Sequence, residues 1–134
     1  LPSGKIILGI RVQNYRTGLF TIFDCFSTDF GKTFTPLRKT DFEGSPPHYF
    51  VHSSGALILT YGRRKFPYAQ IARVSYDEGI HWSEEIILND QCCDDDIGYP
   101  STAENQQGQL VTIYYQRPSS DYQKAQICYT IWEL

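Results

Sequence analysis

Cations, carboxylates and phenols gather in a few short segments of the chain. His48 comes first, then Arg63, Arg64 and Lys65 with Tyr68, then Asp94, Asp95 and Asp96 with Tyr99, and last Arg117, Asp121 and Tyr122. Guanidinium forks hold a carboxylate through two parallel hydrogen bonds, and aromatic faces cover the apolar side of a pyranose. Brought together, these residues suit an acidic or heavily hydroxylated sugar, with Arg63, Arg64, Tyr68 and Arg117 as binding residues. His48 adds a group that can hydrogen-bond a hydroxyl or carry a proton near neutrality. The Asp94–Asp96 run reads as a solvated loop, with an acid/base role, centred on Asp96, or calcium binding as the alternatives. The four cysteines, Cys25, Cys92, Cys93 and Cys128, show no two-residue separation of the kind that metal or redox motifs use. Buried structural thiols are expected, and neither metal nor cofactor.

These groups need a scaffold, and the scaffold is a repeat. Ser27-x-Asp29-x-Gly31-x-x-Phe34 recurs 48 residues later as Ser75-x-Asp77-x-Gly79-x-x-Trp82. A turn glycine leading into a β-rich run recurs at Gly4, Gly55 and Gly108. Within each unit, short runs rich in Ile, Val, Thr, Tyr and Phe alternate with Gly, Pro, Ser and Asp clusters, the signature of antiparallel strands joined by turns. The middle unit reads as four strands: 47–52, 55–62, 69–75 and 82–88. The opening unit supplies 5–12, 19–26 and a short piece at 34–37, and the closing unit 100–105, 110–116 and 125–132. In the repeated turn the aspartate accepts backbone amides, the glycine takes a positive φ and the aromatic residue plugs between sheets. Turn chemistry thus accounts for Asp29 and Asp77 without a catalytic role.

Four strands per unit of about 50 residues describe a β-propeller blade. A β-sandwich also has many short strands, but it does not require one loop sequence to recur at one place in each unit. The expected fold is therefore all-β, a single partial propeller domain with units at 1–38, 39–88 and 89–134, about two and two-thirds blades. Rings close with about 4–8 blades, so missing chain or a second copy is expected to complete this one. In such blades the repeated Asp turns share one face. The loops at 14–18, 39–48, 63–68, 89–99 and 117–124 share the other, where the candidate residues lie.

Composition narrows the partners. The chain has 134 residues, 8 Phe, 10 Tyr and 2 Trp, enough apolar material for one packed domain and no more. Its 12 Lys and Arg against 15 Asp and Glu leave a net charge of −3, without the basic excess that phosphate backbones demand, so nucleic acid is not an expected partner. No apolar stretch approaches the roughly 20 residues of a membrane-spanning helix. The chain starts at Leu1 and contains no Met, which reads as a processed piece or fragment, and compartment is not legible.

The duplicated Ser-x-Asp-x-Gly-x-x-aromatic motif resembles the Asp-box, or bacterial neuraminidase repeat, of sialidase-like proteins, and the likeness extends over essentially the whole chain. Gly98-Tyr99-Pro100-Ser101 followed by Gly108-Gln109-Leu110 through Tyr114-Tyr115 is similar to the last inner strands of that family. The resemblance implies the C-terminal half of a six-bladed propeller and an exo-acting glycoside hydrolase. It also implies Tyr99 as nucleophile, aided by a glutamate, with an aspartate as acid/base and arginines on the substrate carboxylate. A phenol suits an anionic sugar because it escapes the repulsion that a carboxylate nucleophile would meet. The alternative is a carbohydrate-binding or purely structural propeller that kept the repeats without the chemistry.

Overall fold

The computed structural model describes residues 1–118 and 124–134, and every regular element among them is a β-strand. Sheet I holds β1 (Ile6–Asn14), β2 (Leu19–Ser27) and β3 (Arg38–Lys39). Sheet II holds β4 (His48–Val51), β5 (Leu57–Arg63), β6 (Ala69–Ser75) and β7 (Ile86–Asn89). Sheet III holds β8 (Gly98–Glu104), β9 (Leu110–Gln116) and β10 (Gln126–Trp132). Each strand pairs antiparallel with its neighbour in sequence. No helix among the described residues is long and apolar enough to cross a membrane.

Sheet II lies between the other two, which explains why β5 is buried from Leu57 to Gly62 instead of alternating. Its odd residues Leu59 and Tyr61 join Ile22, Phe42, Ala69 and Ile71 in the layer against sheet I, with Tyr49 and Trp82 at its margin. Its even residue Ile58 joins Ala56, Val74 and Leu110 against sheet III, beside Phe50, Ile86 and Trp132. Each fully buried Leu or Ile contributes about 1.5–3 kcal/mol over the exposed state. Polar groups in the second layer pair among themselves: Thr102 Oγ1 lies 3.2 Å from Thr60 Oγ1 and 2.9 Å from Thr112 Oγ1, which also accepts from Trp132 Nε1 at 2.9 Å.

The repeated turn is duplicated bond for bond. Ser27 Oγ donates to Asp29 Oδ1 at 2.8 Å and accepts from the Gly31 amide at 2.8 Å, and Ser75, Asp77 and Gly79 repeat both distances. The second carboxylate oxygen accepts from Thr33 Oγ1 at 2.7 Å in one copy and contacts His81 Nδ1 at 2.7 Å in the other. Positive φ falls on Gly31 and Gly79 as expected, and also on Phe30 and Glu78 just before them. At the same end of the sheets, Glu78 accepts from the amide and hydroxyl of Ser3, while Glu104 does the same for Ser53. These contacts tie the turns of adjacent sheets together.

Three expectations are corrected. The strand expected at 34–37 lies at Arg38–Lys39, because Pro36 has no N–H to give a ladder. The strand expected to open at Trp82 opens at Ile86. In both copies a hydroxyl residue after the turn substitutes for the ladder. Thr35 donates its backbone N–H to Phe26 O of β2 and Ser83 its own to Val74 O of β6, and each side-chain hydroxyl accepts the amide of that same partner. Finally, Trp82 packs against Phe42 and Tyr49, whereas Phe34 is 42% exposed, since no sheet among the described residues lies against that side of sheet I. Beyond these three, the expectation of buried thiols holds for Cys25 alone: Cys92, Cys93 and Cys128 are partly exposed, and all four are free.

The turn carboxylates link stability to pH. The Thr33 amide and hydroxyl, with Ser27, pull Asp29 down from 3.8 to about 2, and the His81 amide and ring hold Asp77 lower still. A carboxyl depressed by folding stabilises fully above its unfolded value and loses that contribution as pH falls toward its folded value. The thermal midpoint should therefore drop between pH 4 and about 2. Asp29→Asn should lower the midpoint at pH 7 and flatten that decline; superimposable pH curves for variant and parent would contradict the role of the turn.

Candidate functional site

Opposite the Asp turns, the β1–β2 hairpin, the β5–β6 hairpin and the chain entering β8 converge on Tyr99. Pro100 cannot continue the ladder, and the β8–β9 register shifts between Gly98 and Ser101. Tyr99 adopts a φ of 49° and Gly98 one of 132°. A Cβ at position 98 would stand 3.1 Å from Arg64 Nη2, so a side chain there would press on Arg64, and the φ itself favours glycine. A tyrosine with positive φ is uncommon and carries strain, a feature that clusters at functional sites.

The bulge turns the Tyr99 ring outward, where it stacks on Tyr115 with centroids 5.8 Å apart and planes 24° apart. The Arg64 guanidinium carbon lies 5.7 Å from the Tyr99 ring centre. Arg64 donates through Nε to Ser45 O at 3.2 Å, through Nη1 to Asp95 O at 3.0 Å and through Nη2 to the Tyr115 hydroxyl at 3.3 Å. All three acceptors are neutral, and among the described residues no carboxylate pairs with Arg64. The Tyr115 hydroxyl donates to Asp96 Oδ1 at 3.0 Å; burial pushes this phenol up, which keeps the donated proton in place at neutral pH. From sheet I, Arg11 Nη1 donates to the Tyr99 hydroxyl at 3.1 Å.

Of the residues singled out from sequence, Tyr99, Arg64 and Asp96 thus meet in one cluster. His48 lies on β4, half-buried, and its Nδ1 accepts from the Thr102 amide at 3.3 Å. Burial lowers its pKa, so it serves there as a neutral acceptor between β4 and β8. Tyr68 packs edge-on to Phe66 at 6.0 Å. Arg63 turns inward to Glu85, donating also to Pro67 O at 2.7 Å. Glu85 in turn accepts from Tyr61 at 2.9 Å and pairs with Arg73. Arg63 therefore closes a network against sheet I. Arg117 donates to Asp94, whose carboxyl burial alone would raise but which the Asp96 amide and Arg117 hold low. Lys65 pairs with Glu43 at 3.6 Å with both side chains exposed, an interaction of little weight. Asp121 and Tyr122 lie outside the described residues. Among those described, no three His, Cys, Asp or Glu side chains are arranged to hold a metal ion.

Sequence reasoning missed Arg11 and Tyr115. Arg11 sits inside a β-rich run, and nothing local tells that it reaches a residue 88 positions away. Tyr115 was open to inference, since alternation along β9 sets Val111, Ile113 and Tyr115 on one face, and Ile113 is directly paired with Ser101. A surface cleft of about 410 Å³ lies elsewhere, beside the Asp turn of sheet II and lined by Arg38, Phe42, Arg73, His81 and Trp82 among others. Three of its cations are engaged, Arg38 by Asp24, Arg73 by Glu85 and His81 by Asp77, while Lys39 also lines it. The Tyr99 cluster therefore stands as the candidate site.

No protein-family model and no curated protein matches the chain. Among solved structures, the chain is similar to a protein of unknown function from Dyadobacter fermentans DSM 18053, with a TM-score of 0.87 and 26% identity. The match covers 99% of this chain and 36% of that one, so the chain spans little more than a third of its solved relative.

Stability and ligand contact should separate at the adjacent arginines. Arg63→Ala removes charged hydrogen bonds from a partly buried network and is expected to cost about 1–3 kcal/mol in urea unfolding. Binding at the Tyr99 cluster should be unchanged; unaltered unfolding would contradict the inward assignment.

Proposed function

We propose that the three sheets are blades of a sialidase-like β-propeller whose mouth binds an acidic or hydroxyl-rich terminal sugar, and that the completed ring is an exo-acting glycoside hydrolase. The observation that carries this reading is the convergence of Tyr99, Tyr115, Arg11, Arg64 and Asp96 at the end opposite both Asp turns. Stacked phenols offer a flat apolar surface, and guanidiniums that pair with no carboxylate among the described residues offer charge for an acidic substituent. The duplicated turn hydrogen bonds support equivalence of the units. The likeness to 36% of a longer chain is compatible with further units of the same kind closing the ring, as is a second copy.

In this reading Tyr99 is the nucleophile and Asp96 the acid/base candidate, while Arg64 and Arg11 hold the substrate. His48, Tyr68 and Arg117 shape the surrounding wall. One feature favours the second reading, a binding propeller without turnover: the Tyr99 hydroxyl is bonded to Arg11, and no carboxylate among the described residues hydrogen-bonds it. The base that draws off its proton would come from residues beyond those described.

The test is release of sugar from a panel of sialosides and uronides by the protein with its ring complete. Hydrolysis that falls below about a thousandth in Tyr99→Phe, with inhibitor affinity kept within about threefold, is the expected result. Saturable sugar binding with no turnover from any member of the panel would establish the second reading, and absence of both would dismiss the site.

A further inference from the structure

The mouth carries more aromatic surface than one sugar ring can cover. Tyr15, at the tip of the β1–β2 hairpin, is 79% exposed; Phe66, at the tip of the β5–β6 hairpin, is 81% exposed; Tyr99, at the start of β8, is 56% exposed. Each sheet thus presents one ring, and each ring is braced by a second: Tyr15 edge-on to Phe20 at 5.6 Å, Phe66 edge-on to Tyr68 at 6.0 Å, and Tyr99 stacked on Tyr115. The Tyr15 hydroxyl also accepts from Gln13 Nε2 at 2.9 Å.

The three rings belong to one end of the molecule. Arg11, on the strand that leads to Tyr15, reaches the Tyr99 hydroxyl, and Arg64, two residues before Phe66, lies over the Tyr99 ring. Packed sheets stand roughly 10 Å apart, so the three steps extend over roughly 20 Å. Both signs of charge occur at this end, where Asp96 Oδ1 accepts from the Tyr115 hydroxyl and Arg117 pairs with Asp94. Arg11, Arg16 and Arg64 form no ion pair among the described residues, although the chain as a whole is acidic.

We infer that the mouth binds a linear anionic glycan of several sugar units, with the terminal unit at Tyr99 and the following units over Phe66 and Tyr15. This rests on the sugar-binding reading above and adds to it the length and charge of the ligand. Aromatic faces take successive pyranose rings, and the three guanidiniums take their carboxylates. Phe66 and Tyr15 are then specificity-determining residues for chain length, placed away from the Tyr99 hydroxyl.

The experiment is calorimetric titration of the protein with galacturonic acid, its linear oligomers up to the hexamer, and neutral gluco-oligomers of equal length. Affinity should rise about tenfold or more from monomer to tetramer, and the neutral series should bind at least about tenfold more weakly. Phe66→Ala and Tyr15→Ala should each reduce tetramer affinity about tenfold while leaving monomer affinity unchanged, and Phe66→Trp should restore it. Both side chains are exposed, so folding, followed by circular dichroism, should be intact. Monomer binding with no gain on lengthening, or tetramer binding indifferent to Phe66 and Tyr15, overturns the extended site and leaves the sugar reading standing. Equal affinity for the neutral series overturns the anionic assignment, and absence of binding at every length overturns the extended site, the sugar reading then being decided by the sialosides of the panel above.

Discussion

The hydroxyl-to-carboxylate bond inside each Asp turn, Ser27 to Asp29 and Ser75 to Asp77, sets one end of this molecule and by doing so frees the other. With serine and aspartate consuming the backbone amides of the turn, the chain reverses tightly and returns along the outer edge of its own sheet. That return places Trp82 against Phe42 and Tyr49, in the layer between sheets I and II. Glu78 and Glu104 clasp Ser3 and Ser53 at the same end. Its hydrogen-bonding capacity is spent on architecture.

Antiparallel pairing sends the remaining connections to the opposite end, where the side chains are arranged differently. Arg64 is anchored by three neutral acceptors and keeps its charge available; Tyr99 is turned out by a bulge at Pro100; Tyr115 is fixed between Arg64 and Asp96. A rigid scaffold with chemistry placed on its loops is the usual division of labour in β architectures. Arg63 and Arg64 display that division in adjacent residues. Successive side chains of an extended strand point to opposite faces, and the first of the pair is drawn into the Glu85 network while the second reaches the mouth.

What could be read from the chain follows from how local each determinant is. The glycines at 4, 55 and 108 and the two Asp turns carry their own conformational requirements, so the repeat, the all-β class and most strand positions were legible. Pro36 displaced one strand because a missing N–H matters only once a partner strand is specified. Arg11 to Tyr99 was not legible, because that contact depends on how three sheets pack. The same holds for Arg63, whose sequence neighbourhood is indistinguishable from that of Arg64 until Glu85 comes alongside. Phe34 and Trp82 occupy equivalent positions in one motif, yet only the second has a sheet against which to pack.

The central claim is the separation of a structural end from the end proposed to bind ligand. Amide chemical-shift perturbation in the isotopically labelled protein, titrated with a sialylated or uronic oligosaccharide, tests it most directly. The account predicts shifts at Arg11, Arg64, Phe66, Tyr99 and Tyr115, with the amides of Gly31, Thr33, Gly79 and His81 unmoved. Saturable shifts confined to those turn amides, with the Tyr99 cluster silent, would contradict it.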